Sequence, residues 1–482
     1  MTEEAATGPR VSVIVVRDVA HVVVDVVLER EVLGDDPREM LVHVRELVSR
    51  RLRAVAPPHH HGRRADLALG DPADVVLVEP GRDPGRLAQI AAVPFLPAVR
   101  VVRHRAGMVQ LLPSMKGLIL SGGAGTRLRP ITHTSAKQLV PIANKPILFY
   151  VVEDLAAAGI KDIGVVIAPE TGAEIEAALG DGSQFGVELT YVPQALPLGL
   201  AHCVRVAADF LGDDDFVMYL GDNMLQQELR PLIDRFVAAR TRQLELHEPS
   251  AQLPAAQILL AHVDDPRQFG VAQVDARGGV VRLVEKPANP PSDLALAGVY
   301  IFDRRVHEAV NAITPSARGE LEITDAIQWL IDRGYPVMHY VLEGWWIDTG
   351  KKDPLLHCNR LVLDTIVPRI DGELDARSRV EGRVVIEAGA RLQASIVRGP
   401  AIIGAGTVLV DTYVGPYTAI GADCELRDAE IEHSVVLERS RIIGVHHIHD
   451  SLLGREVEVV RSGDRPKATR LMLGDHSRAD LE

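Results

Sequence analysis

Gly122-Gly123-Ala124-Gly125-Thr126-Arg127-Leu128 follows directly on the apolar run Met115-Lys116-Gly117-Leu118-Ile119-Leu120. A strand that opens into glycines and then an arginine is a phosphate site in outline. Glycines let the backbone fold back and aim several N–H groups at one anion with no Cβ in the way. The Arg127 guanidinium adds a planar, permanently charged fork that suits phosphate oxygens. Two familiar nucleotide loops are excluded by spelling. No Lys-Ser/Thr closes a GxxxxGK pattern, and Leu128 stands where a dinucleotide fingerprint needs its third glycine. The loop is a phosphate site of another type.

Such a loop needs a sheet to carry it. From residue 115 to about 352, strand-like runs (163–168, 188–192, 216–220, 256–262 and 280–284) alternate with helical patterns (146–158, 171–179 and 200–210). That alternation predicts an α/β domain with a Rossmann-like, mostly parallel sheet covered by helices. In such sheets ligands sit beyond the carboxyl ends of the strands, where the glycine loop falls. From about residue 361 the texture changes to a six-residue rhythm. Leu374, Val380, Ile386 and Leu392 are in phase; after a slip the series resumes at Ile396 and runs through Ile402, Val408, Val414, Ile420 and Leu426. A hexapeptide period predicts a left-handed parallel β-helix.

The chain of 482 residues is too long for one core, and three parts are expected: 1–114, 115–360 and 361–482. The first has 15 arginines, no lysine and 15 acidic residues, so the net charge of −14 lies in the remainder. Strand-like runs at 11–16, 22–28, 74–79 and 99–103 and a helical pattern over 37–53 predict a small α+β domain of unknown role. Its His59-His60-His61 run, in a Pro/Gly loop, is read as solvated. The acidic balance argues against a nucleic-acid surface and requires local cations wherever an anion binds. No apolar stretch approaches the roughly 20 residues that span a bilayer, so no membrane association is expected. The start Met-Thr-Glu-Glu lacks the basic and apolar regions of a secretory signal. Cys203, Cys358 and Cys424 are far apart, without metal-ligand spacing, and fit a reducing cytoplasm.

Further motifs accompany the glycine loop in order. They are Ser135-Ala136-Lys137-Gln138-Leu139-Val140-Pro141, Tyr191-Val192-Pro193-Gln194, Pro197-Leu198-Gly199-Leu200-Ala201, Gly221-Asp222-Asn223, Phe269-Gly270-Val271, Glu285-Lys286-Pro287, Ala297-Gly298-Val299-Tyr300, Arg318 to Asp325, and Trp346-Ile347-Asp348-Thr349-Gly350. Together, from Met115 to the C-terminus, the chain resembles the sugar-1-phosphate nucleotidyltransferases, most closely the long-form glucose-1-phosphate thymidylyltransferases.

The resemblance implies that dTTP and glucose 1-phosphate are the substrates. A sugar-1-phosphate oxygen attacks the α-phosphorus and pyrophosphate leaves in line. Two polyanions must meet, so positioning and charge neutralisation should supply most of the catalysis. It also implies roles. Gly122, Gly123, Gly125, Thr126 and Arg127 hold the triphosphate, and Lys137 sits beside the α-phosphate. Gln194 and Gly199 lie against the pyrimidine, whose imide edge a side-chain amide can pair with. Asn223, Gly270, Glu285, Lys286 and Val299 line the sugar pocket, with Lys286 on the sugar phosphate. Asp222 and Asp348 each follow a strand-like apolar run and are the expected Mg²⁺ ligands, two carboxylates being what Mg²⁺ commonly takes from protein.

Alternatives stay open within and beyond this class. UTP or another sugar 1-phosphate is the nearest, because no residue reading the thymine methyl is identifiable. A non-catalytic regulatory relative should lack Arg127, Lys137 or an aspartate, and all are present. Hexapeptide acyltransferases use a histidine, and His433, His446, His447 and His449 are available; with Ile448 facing inward, those beside it should face outward. The β-helix is expected to serve oligomer contacts or regulation, giving a homo-oligomer. A fragment beginning at Met115 is expected to keep nucleotidyl transfer, measured as pyrophosphate release. A folded but inactive fragment would show that residues 1–114 complete the site.

Overall fold

The computed structural model describes residues 115–123, 125–246, 249–461 and 474–480, together with six strands before residue 115. Residues Met1–Ser114 and Met115–Glu482 form two separate compact units.

In the second unit the strand Lys116–Leu120 (β1) is central. Its Leu118, Ile119 and Leu120 are enclosed, as expected of a parallel strand covered on both faces. The chain then alternates through Ile147–Ala157 (α1), Asp162–Ile167 (β2), Gly172–Leu179 (α2), Glu188–Pro193 (β3), Leu200–Val206 (α3) and Phe216–Leu220 (β4). The strands lie in the order β3-β2-β1-β4 and are parallel throughout. After β3 the winding therefore reverses, and β4 pairs on the other side of β1. Leu120 and Leu220 are register partners, so these two strands end flush at the carboxyl edge, where open α/β sheets bind their ligands.

Five later strands extend the sheet to nine. A short strand Asn223–Leu225 (β5) and Arg230–Glu245 (α4) precede Ala256–His262 (β6), the hairpin Gly270–Val274 (β7) and Val280–Glu285 (β8), and Leu294–Phe302 (β9). Val306–Ala312 (α5), Ile323–Asp332 (α6), Val337–Val341 (β10), Trp346–Asp348 (β11) and Lys352–Leu363 (α7) follow. The five are β6 to β10, and β5 with β11 forms a separate pair. β9 is antiparallel between β4 and β6, while β10 is parallel to β6. Apolar side chains of α3, α5 and α6 cover one side of the sheet, and those of α1, α2 and α4 the other. The boundary expected at residue 360 falls inside α7, and the first strand of the C-terminal region begins only at Arg369.

Among its described residues, that region consists of short strands paired only in parallel, in sheets of six and eight. Val385 pairs with Ile402 and Ile402 with Ala419, 17 residues on each time; Leu392, Leu409 and Leu426 repeat the step. The enclosed series is Ile386, Leu392, Val397, Ile403, Leu409, Val414, Ile420 and Leu426. It corrects the expected Ile396, Ile402 and Val408 by one residue. The spacing runs six, five, six, six, five, six, six, and Ile396-Val397, Ile402-Ile403 and Val408-Leu409 are apolar doublets. Hydropathy cannot say which member of a doublet faces in. Ile402 faces the other way, into a core shared with Leu355, Leu356 and Leu363 of α7 and with Ile347 of β11. Ile448 is half-buried against the inner series, and His446, His447 and His449 are exposed.

In the first unit, Arg10–Arg17 pairs antiparallel with Ala20–Val27 and with Asp74–Val78, which pairs with Gln89–Ala91. Val101–Val102 pairs with Gln110–Leu111. The helical pattern over 37–53 and His59 to His61 lie outside the described residues. Among the described residues, no helix is long and apolar enough to cross a membrane.

Beneath the sheet, Tyr219 of β4 donates from its hydroxyl to Asp154 Oδ2 of α1 at 3.2 Å. Burial pushes the Asp154 carboxyl up to about 7, with the Tyr219 hydrogen bond only partly opposing it. The folded protein thus holds this proton more tightly than the unfolded chain. Its stabilising contribution is complete below about pH 4, is lost as pH rises toward 7, and is absent above. Asp154→Asn keeps an acceptor for Tyr219 and removes the titration. Its thermal midpoint relative to wild type is expected to be higher at pH 8 than at pH 5; an offset that does not change with pH would contradict this.

Candidate active site

The glycine loop leaves β1 at the sheet's carboxyl edge. Gly125 adopts left-handed backbone (φ +56°) and starts a tight 3₁₀ turn, Thr126–Leu128, that carries Arg127. The Gly125 carbonyl accepts from Thr132 Oγ1 at 2.6 Å, which ties the loop to the segment ahead of Lys137. A Cβ at Gly125 would lie 3.2 Å from Lys137 Cβ, and one at Gly123 would lie 4.0 Å from Lys137 Nζ. On the other flank, a Cβ at Gly122 would lie 2.9 Å from Gln194 Oε1. Lys137 and Gln194 therefore border the loop on both sides.

The two aspartates come together through a strand pair. β5 pairs antiparallel with β11, making Asn223 the register partner of Asp348. The Asp222 carbonyl accepts from Thr349 Oγ1 at 2.7 Å and from the Thr349 amide at 3.1 Å, which locks the joint. The buried Asp222 carboxylate forms an ion pair with the Lys137 ammonium and accepts from Asn223 Nδ2 at 3.0 Å. Burial alone would raise its pKa, but the charge and hydrogen bonds from Lys137, with that from Asn223, outweigh burial and hold it below the usual range. Asp348 is pushed the other way, first by burial and then by the Asp222 charge, with the Gly350 N–H, Arg127 and Lys137 opposing. Arg127 Nη2 lies 3.8 Å from Asp348 Oδ2, and the Gly350 amide donates to Oδ1 at 2.9 Å. Two carboxylates, hard oxygen donors, brought to one strand joint fit a divalent metal ion.

Gln194 is buried and its Nε2 donates to His202 Nδ1 at 2.9 Å. Burial, then the nearby Arg205 charge, lowers the His202 pKa, so the ring is a neutral acceptor near pH 7. Gly199 sits against the main chain of Leu321: a Cβ there would be 2.5 Å from the Leu321 carbonyl. Asn223 has both ends engaged, because its Oδ1 accepts from Trp346 Nε1 at 2.6 Å. Trp346 also packs edge-on against Phe269, 5.2 Å between ring centres, next to Gly270.

Gly270 and Glu285 are register partners in the β7–β8 hairpin. Glu285 accepts from Thr324 Oγ1 at 3.2 Å and Arg318 Nη1 at 3.3 Å, with Lys286 Nζ 3.5 Å away. Glu285 and Lys286 open into a cavity of about 650 Å³ that Arg318, Glu322 and Asp325 also line. Val299, expected to line the sugar pocket, is instead fully buried in the core as the register partner of Tyr219. His202, Thr324 and the Trp346 indole were missed as partners by sequence reading. His202 carries a weak signal, falling eight residues after Gln194 on a short helix; Thr324 and Trp346 lie inside quoted motifs, which do not specify their contacts.

Comparison with known proteins concerns the chain as a whole. The nucleotidyl transferase family matches residues 116–365. A glucose-1-phosphate thymidylyltransferase of Streptomyces griseus is 54% identical over 367 residues, covering 76% of this chain and 99% of the relative. One of Streptomyces antibioticus is 52% identical over 368 residues, 76% of this chain and 100% of the relative. The low-salt glycan biosynthesis nucleotidyltransferase Agl11 of Haloferax volcanii is 46% identical over 370 residues, again 76% and 100%.

Gly298 lies on β9 in left-handed backbone (φ +70°), and a Cβ there would sit 2.7 Å from Asn223 Oδ1. Gly298→Ala should displace the Asn223 amide from Trp346 and Asp222 and cost about 1–3 kcal/mol. A denaturation midpoint and tryptophan emission both unchanged from wild type would contradict that.

Proposed function

This chain belongs to the sugar-1-phosphate nucleotidyltransferase family, and from that premise we propose that it transfers the thymidylyl group of dTTP to glucose 1-phosphate. The phosphate oxygen of glucose 1-phosphate bonds to the α-phosphorus, the bond from that phosphorus to the β-phosphate bridging oxygen breaks, and pyrophosphate leaves with dTDP-glucose formed. The observation that carries this reading is the meeting of Lys137, Asp222 and Asp348 beside the glycine loop, at the flush ends of β1 and β4.

No side chain has to act as nucleophile, so the groups work by position and charge. The loop amides of Gly122, Gly123, Gly125 and Thr126, with Arg127, hold the triphosphate and draw charge toward the departing pyrophosphate. Lys137 neutralises the α-phosphate as the second anion approaches. Gln194, held by His202, presents its amide to the imide edge of the base. Glu285 accepts from sugar hydroxyls and Lys286 meets the sugar phosphate. Asn223 acts as a brace for Asp222 rather than as free lining. Asp222 and Asp348 would hold Mg²⁺, which when bound supplies charge shared between the two phosphates.

The C-terminal parallel strands, with their 17-residue step, are read as a left-handed β-helix that serves contacts between copies in a homo-oligomer. Three buried free thiols suit a reducing cytoplasm.

The test is pyrophosphate release over a matrix of dTTP, UTP, ATP and GTP with several sugar 1-phosphates. The highest kcat/KM is expected for dTTP with glucose 1-phosphate. A UTP maximum would move the assignment to another base, and no release with any pair would overturn the enzymatic reading. Asp222→Asn is expected to lower turnover by about a hundred-fold or more; near-normal turnover would remove Asp222 from the metal site.

A further inference from the structure

Lys137 begins a 3₁₀ turn, Lys137–Leu139, whose direction is set by the two residues ahead of it. Both are tied to one carboxylate. Ser135 Oγ donates to Glu174 Oε1 at 2.7 Å, and the Ala136 amide donates to Glu174 Oε2 at 2.7 Å. Glu174 stands in the first turn of α2, where a negative charge is favourable. A third partner arrives from the C-terminal strands, some 280 residues later in the chain. Arg455 Nη1 donates to Ser135 Oγ at 2.9 Å and to Glu174 Oε1 at 3.1 Å. Arg455 Nε lies 2.6 Å from Glu438 Oε1, an ion pair without hydrogen-bond alignment. The guanidinium is thereby spanned between carboxylates of the two regions, and its planar fork suits that bridge better than a point charge.

The same segment is touched twice more. Ile131 Cγ1 lies 3.8 Å from where a Cβ of Gly454 would stand, and His133 Nε2 lies 3.2 Å from the Asp475 carbonyl. The stretch between the glycine loop and Lys137 thus rests on the C-terminal region at Gly454, Arg455 and Asp475. We infer that Arg455 is a positioning residue for nucleotidyl transfer: through Glu174 and Ser135 it fixes the segment that aims Lys137, and so makes the C-terminal strands part of the catalytic apparatus. This rests on the role given to Lys137 above. Arg455 touches no substrate and acts only through the alignment of another group. Misplacing a catalytic group by about 1 Å can cost on the order of a hundred-fold.

The experiment uses the full chain and three substitutions, Arg455→Met, Arg455→Lys and Glu174→Gln. Arg398→Met, which breaks an exposed pair with Glu381 elsewhere in the C-terminal strands, is the control. Steady-state kcat, KM for both substrates and the thermal midpoint are measured for each. Arg455→Met and Glu174→Gln are expected to lower kcat about ten-fold or more. KM for the triphosphate should change less than about three-fold and the thermal midpoint should stay near wild type, since Arg455 is partly exposed. Arg455→Lys should recover part of the lost kcat, and Arg398→Met should lose none. The inference is overturned if Arg455→Met keeps wild-type kcat, if kcat falls only in step with the thermal midpoint, or if Arg398→Met loses as much. Absence of nucleotidyl transfer in the wild-type chain would instead overturn the functional reading, so the two failures are distinguishable.

Discussion

A carboxylate enclosed at the end of a parallel strand stays ionised only if positive charge or hydrogen-bond donors meet it. Asp222 is such a carboxylate, and the placement of its neighbours follows from that demand. Lys137 supplies the charge, and reaches it along a glycine loop that offers no Cβ in its path. Asn223 supplies a donor and is kept from rotating by the Trp346 indole. Trp346 belongs to β11, whose pairing with β5 sets Asp348 opposite Asn223. One buried charge therefore draws together the loop after β1, the turn after β4 and a strand more than a hundred residues further on.

The consequence for chemistry is a site built of cation–carboxylate pairs. Lys137 faces Asp222, Arg127 faces Asp348 at 3.8 Å, and Lys286 and Arg318 face Glu285 at 3.5 and 3.3 Å. A protein of net charge −14 needs local cations to receive two polyanions. Pairing each with a carboxylate holds it in place before substrate arrives. The wider pairs are weakly committed, being long and partly exposed. In the proposed reaction the cations turn to phosphate oxygens, while the carboxylates are left for a metal ion and for sugar hydroxyls.

The C-terminal strands contribute more than bulk. One of their sheets is apolar on both faces, packing inward on its own series and outward on α7 and Ile347, next to Asp348. Two-sided burial explains the Ile402-Ile403 doublet, one of the three that blurred the hexapeptide phase. It also anchors β11, and hence Asp348, to a rigid stack. Arg455 and Gly454 meet the segment ahead of Lys137 from the same region.

Residue types and their local order were enough to identify a glycine loop after a strand, an alternating α/β sheet, a repeating parallel region and the charged groups at strand ends. These features arise from short-range rules, backbone freedom at glycine and the period of apolar residues, which a linear sequence carries in full. Pairing across the fold was not legible. Nothing local indicates that Asn223 stands opposite Asp348, that His202 holds Gln194, or that Ser135 meets Arg455. Nor does local pattern reveal that Val299 is sealed in the core, or that Val397 rather than Ile396 faces inward. Those outcomes depend on which surfaces two distant segments bury against each other. Each segment fits several partners when taken alone, and only the packed structure, in which every buried polar group must find its match, selects one.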